Sequence, residues 1–339
     1  MLKDLLKSRL NFSRLFSFLL SVSHYYFIKN ITIPYFRTVM QPSLHLLLFL
    51  SLFLHTGLYA QQLLTNVPQA FEAIPNQQPR ICYFNSRIKT PAGGHLQGIQ
   101  GYTHDSRTSF IITGSAASFS YYLTAPENGE ATLHKLANEP LRHAGGCQLA
   151  AGKVFTGIED NAAKDKSDVV MFAPGIKPVE TLIKRSGIVK RSTAGAVGAL
   201  YLNGKYLVAV ADWDSRNIDF YRSGTKGLDS VASYTAYGKW GSYQSINLLA
   251  DTAGAIFLIG FCREGKNNRA DLFSVINYQL TLLSSRYFHC TKGSSFRYAA
   301  GVGITTENKL VVIALAPKLK KRNSINIFGS DEALPLRFQ

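Results

Sequence analysis

The chain has 339 residues, of which 46% are hydrophobic and 17% charged, with a formal net charge of +16 at pH 7. A mean hydropathy of +0.01 excludes a polytopic membrane protein, and the length suffices to bury a core without covalent staples. The positive balance points to anionic partners such as an acidic glycan or a lipid surface.

Residues 1–39 carry Lys3, Lys7, Arg9, Arg14, Lys29 and Arg37. They read either as an over-called start or as a long basic leader to the segment beginning at Met40. Residues 44–58 are almost unbroken Leu and Phe and end in Gly57-Leu58-Tyr59-Ala60. A short apolar run before a small residue predicts a signal peptide over 40–60, cut after Ala60. The alternative is an uncleaved anchor, the only membrane association expected. Six basic residues and one acidic residue precede position 61, leaving 31 basic against 20 acidic beyond it. Export makes the location secreted or periplasmic and excludes nucleic acid as partner. Residues 61–79 read as a linker.

From residue 80 the sequence repeats. Gly/Ala-rich stretches begin at His95, His143, Gly195, Tyr243 and Tyr298, each followed by a turn and a solid apolar run. The markers Gly98, Gly146, Gly198, Asn247 and Gly303 are 48, 52, 49 and 56 residues apart. A period of roughly 40–50 residues holding several short strands marks a propeller-type array. The second unit resolves into strands over 146–150, 153–158, 168–173 and 180–184. Gly and Ala in each first strand allow close approach at a crowded axis. Each second strand is a continuous apolar run, as a strand covered on both faces should be. The last unit yields only 301–305, 310–315 and 324–328. Its missing strand is supplied by the orphan strand within 80–89, with the tail at 333–338 as competitor. The prediction is an all-β, five-bladed β-propeller of four-stranded antiparallel blades, spanning 80–339 and closed by an N-terminal strand. By repeat form it resembles the secreted bacterial β-propellers of the WD40-like and YVTN-like group. The Trp213-Asp214 pair, however, lies in a loop and outside the position of a WD40 repeat.

Cys82, Cys147, Cys262 and Cys290 lie beyond the leader, and export permits disulfides. Cys147 sits in an apolar inner-strand context and reads as a buried thiol. Cys262 and Cys290 could pair if their strands end on one side of a blade. No Cys/His spacing suits zinc.

In a propeller the linkers entering each blade share a face with the loops after each second strand. The linkers carry His95 and Gln97, Arg142 and His143, Lys190 and Arg191, Lys239, Trp240 and Tyr243, then Arg297 and Tyr298. Convergent cations, imidazoles and rings suit an anionic or hydroxyl-rich ligand. The expected ligand contacts are His95, His143, Arg191, Trp240, Tyr243 and Arg297. The expected function is a monomeric binding or scaffold protein for an anionic or glycan ligand or an envelope protein. The alternative is a hydrolase of a glycan or phosphoester, with Asp160 and Asp212 as acids and His143 as base. No cofactor and no metal site is expected. Two histidines are too few for a metal, and Arg216 stands where a calcium loop would need oxygen.

Overall fold

The computed structural model describes residues 63–89, 94–104, 107–224, 227–329 and 336–337. The predicted leader therefore lies outside the described residues. The segment read as a linker is structured from residue 63. Leu64 bridges to Asp251, and a short helix, α1 (Val67–Glu72), buries Val67 and Phe71. Asn66 caps α1 by accepting a hydrogen bond from the Gln69 amide.

Everything else is strand. β1 (Arg80–Asn85) precedes four antiparallel runs of four. The first is β2 (Leu96–His104), β3 (Arg107–Ser115), β4 (Phe119–Pro126) and β5 (Thr132–Asn138). The second is β6 (His143–Ala150), β7 (Lys153–Glu159), β8 (Lys166–Phe172) and β9 (Glu180–Ser186). The third is β10 (Ala196–Leu202), β11 (Lys205–Ala211), β12 (Asn217–Ser223) and β13 (Leu228–Thr235). The fourth is β14 (Ser245–Ala250), β15 (Ile256–Glu264), β16 (Asn267–Ile276) and β17 (Gln279–Phe288). The last run, β18 (Ala299–Thr305), β19 (Leu310–Leu315) and β20 (Arg322–Phe328), is completed by β1, antiparallel to β20 from Arg80↔Ile327 to Asn85↔Arg322. The tail strand β21 (Leu336–Arg337) pairs with β18, so it does not supply the missing strand.

The first strands β2, β6, β10, β14 and β18 touch in cyclic order, and hydrophobic clusters fill the spaces between successive runs. This is a β-propeller. Hydrogen bonding does not keep the runs separate as four-stranded sheets. Parallel pairs at Ala300↔Gly98 and Ala196↔Gly146 fuse them into sheets of nine, eight and four strands. The fusion follows from the small residues at the axis: an added Cβ would lie 2.1 Å from the Ile99 carbonyl oxygen if placed on Gly301, and 2.2 Å from the Gly195 carbonyl oxygen if placed on Gly145.

All four cysteines are free thiols, which corrects the suggested Cys262–Cys290 bridge. Cys262 belongs to the cluster between the third and fourth runs. Cys290 packs against the cluster on the other side of the fourth run. Cys147 is fully buried, and burial pushes its thiol up to about 12.

Candidate functional site

The entering linkers and the loops after the second strands meet at the mouth of the ring. His143 opens β6 and Glu159 closes β7, and the two are partners in the ladder. His143 Nδ1 lies 3.0 Å from Glu159 Oε1, within ion-pair reach but without hydrogen-bond geometry, and neither buried atom has a hydrogen-bond partner among the described residues. The other Glu159 oxygen accepts from the Ala194 amide at 2.9 Å. Gln97, on β2, places its amide nitrogen between two imidazoles. It reaches His143 Nε2 at 2.7 Å and also contacts His95 Nε2. The Gln97 amide thus bridges the two Nε2 atoms, and which atom donates follows the imidazole tautomers.

His95 faces a cleft of about 540 Å³ that Gln244, Arg297, Tyr298 and Lys318 also line. An adjoining hollow of about 360 Å³ shares Gln244 and Arg297 and adds Arg263. The His95 pKa is held down to about 4, by burial first and then by the His143 ring and the Arg297 guanidinium. His95 is therefore a neutral donor at pH 7 among permanent cations. None of the residues lining these two spaces is a carboxylate.

Four rings from four runs form an arc across the mouth. Tyr298 lies 5.8 Å from His95, His95 lies 5.6 Å from His143, and His143 lies 6.1 Å from Trp213, centroid to centroid. Arg297 sits over Tyr298 at one end, and Lys164 sits over Trp213 at the other.

Of the residues singled out in the sequence, His95, His143 and Arg297 come together, with Gln97 and Tyr298 beside them. The other three lie elsewhere. Arg191 grips Asp219 with two bonds of 2.6 and 2.5 Å, joining the Arg185 guanidinium from β9 on the same carboxylate. Tyr243 is 2% exposed and donates its hydroxyl to Asp271 Oδ2 at 2.6 Å. It turns inward because Gly260 leaves room: a Cβ there would lie 2.6 Å from the ring. Trp240 packs on Tyr243 and Phe273 and donates its indole N–H to the Ser215 carbonyl. It is partly buried against the cluster between the third and fourth runs, away from the cleft beside His95.

Neither acid of the hydrolase alternative is free for catalysis. Asp160 Oδ1 accepts from the Ala162 and Ala163 amides, and Asp212 accepts from the Asn217 amide and side chain. Both are turn caps, as loop carboxylates commonly are. The carboxylate at the centre is Glu159, one residue earlier. No strand signal separates the two in sequence, because Asp160 already lies in the turn beyond β7.

No family model matches the chain, and no curated protein matches it. The resemblance to WD40-like and YVTN-like repeats therefore stops at the propeller architecture. Solved structures do match. A variant of exo-β-1,3-galactanase from Phanerochaete chrysosporium with β-1,3-galactotriose is 10% identical, over 77% of this chain and 67% of that one, with a TM-score of 0.44. A thermostable family-43 glycoside hydrolase is 10% identical, over 76% and 96%, with a TM-score of 0.45. Sucrose-6-phosphate hydrolase from Lactobacillus gasseri is 14% identical, over 73% and 60%, with a TM-score of 0.44. At 10–14% identity and TM-scores of 0.44–0.45, these matches are a likeness of fold to proteins described as hydrolases, the class held above as the alternative to a binding or scaffold protein.

Proposed function

We propose that the protein is a hydrolase of an anionic carbohydrate, a charged glycan or a sugar phosphoester. It works at the mouth of a ring of five blades, each blade one of the runs described above. The observation that carries this reading is the buried His143, with Nδ1 3.0 Å from the Glu159 carboxylate. A carboxylate in that position fixes the tautomer and stabilises the imidazolium that forms when Nε2 takes a proton. In the free protein Gln97 occupies Nε2, so substrate entry has to swing the amide aside. His143 then accepts a proton from the attacking water. The water oxygen bonds to the electrophilic centre, and the imidazolium returns the proton to the departing oxygen. Arg297 and Lys318 hold the substrate's anionic group, and neutral His95 donates to it. Export to a secreted or periplasmic location, directed by residues 40–60, suits such a substrate.

The test is turnover of charged oligosaccharides and sugar phosphates by the purified protein, against His143→Gln and Glu159→Gln. Both substitutions should lower kcat by roughly 100-fold or more, the usual worth of an oriented general base. Full activity in His143→Gln, or no turnover of any charged substrate by the unaltered protein, would sink the reading.

A further inference from the structure

Beyond the proposed catalytic pair, the far end of the ring arc has features that a mere loop does not need. Trp213, after β11, is half-buried, with its ring 6.1 Å from His143. The Lys164 ammonium sits 4.1 Å above the indole. Among the described residues no carboxylate pairs with that ammonium, whereas the neighbouring Lys190 is paired with Asp214 at 3.0 Å. Three loops interlock to hold this group. The Lys190 amide donates to the Lys164 carbonyl at 2.6 Å, and the Trp213 amide donates to the Lys190 carbonyl at 3.3 Å. Both lysines have left-handed backbones, with φ of 59° and 65°. Glycine or asparagine would take that conformation at less cost.

We propose that Trp213 and Lys164 form a binding subsite for an acidic sugar residue, next to His143. It rests on the hydrolase reading only in sharing the same mouth. An indole face suits the apolar face of a sugar ring. In the free protein the ammonium covers that face. A cation over a ring still half open to water is held less firmly than one over a desolvated ring, and it exchanges for a charge-assisted bond to a carboxylate. An acidic sugar therefore draws Lys164 off the indole and stacks in its place. A neutral sugar offers nothing to move the lysine, so the subsite selects charge. Lys190, tied to Asp214, keeps the loop in place.

The experiment is a fluorescence titration of the full protein with trigalacturonate and with neutral galactotriose. The chain has two tryptophans, and Trp240 is packed between runs, so the responsive indole is Trp213. The acidic trisaccharide should change emission saturably and bind at least tenfold more tightly than the neutral one. Trp213→Leu should abolish the signal and weaken binding, followed by calorimetry, at least tenfold. Lys164→Gln, a surface change that should leave folding intact, should narrow the acidic-to-neutral preference at least fivefold. Equal affinity for both sugars, or an unchanged preference in Lys164→Gln, overturns the subsite. Charge-selective binding without any turnover removes the hydrolase reading and leaves the subsite standing. Turnover with both variants binding like the unaltered protein does the reverse.

Discussion

His95 carries the most pH-sensitive environment at the mouth. It is hemmed in by Gln97, His143, Arg297, Tyr298 and Lys318, and of these His143 and Arg297 oppose a positive charge on its ring. Its pKa falls from 6.5 to about 4, through burial first and then through His143 and Arg297. The sign of the stability effect follows from proton counting. Between these two values the unfolded chain binds a proton that the folded protein refuses. The stability contributed by neutral His95 is thus fully present above pH 6.5 and is lost as pH falls toward 4. Urea unfolding at pH 7, 5.5 and 4 should show the unaltered protein losing more stability than His95→Gln over this range. Parallel profiles would mean that His95 protonates freely in the folded state. The sequence put His95 and His143 on one face but could not reveal this coupling. The Gln97 amide that joins them is a polar inner-strand residue indistinguishable, in one dimension, from a space filler.

At the scale of the strand, the axis poses a hydrogen-bonding problem that small side chains alone do not solve. First strands that converge leave edge amides and carbonyls facing one another without a continuous ladder. Amide side chains complete the pairing. Gln148 on β6 accepts from the Ala199 and Leu248 amides at 2.8 and 2.7 Å and donates to the Leu248 carbonyl at 2.7 Å. Asn247 on β14 accepts from the Val302 amide at 3.2 Å and donates to the Cys147 carbonyl at 3.4 Å. Gln148→Leu keeps the volume and orphans three buried backbone groups. At about 1–3 kcal/mol for each unsatisfied group, the loss should be about 3 kcal/mol or more. A urea midpoint that drops by less than the equivalent of about 1 kcal/mol would show that water or relaxation satisfies those groups instead. Periodicity made the strands themselves legible, because apolar runs and Gly/Ala stretches are local signals. The cross-axis amides were not legible, since their partners lie 51 and 100 residues away. Tyr243 failed as a ligand contact for the same reason. Whether a linker ring faces the mouth or the neighbouring run depends on space left by a residue such as Gly260, in another strand.

For the whole molecule, the decisive contact is the one that closes the ring. β1 and β20 are separated by more than two hundred residues of chain, yet they form six ladder pairs. The closing strand was readable from sequence because a propeller with one short unit needs a partner and only two segments were unassigned. Closure makes every interface between runs depend on every other, so the latch should control cooperative unfolding. Phe84 is the anchor: it is fully buried in the cluster between the last and first runs, where it joins Cys82, Val311 and Ile325. Truncating a buried Phe to Ala costs about 3–5 kcal/mol through lost burial and the cavity left behind. A loosened β1 also frees the edge of β20, an unpaired row of backbone groups that recruits other strands. Phe84→Ala should therefore melt earlier and form oligomers whose size rises with protein concentration near the transition. A variant that stays monomeric and unfolds within about 1 kcal/mol of the unaltered protein would mean that the ring holds without its latch. The closing strand would then be a cover on an already stable sheet, with no control over the mouth where His143 and Trp213 meet.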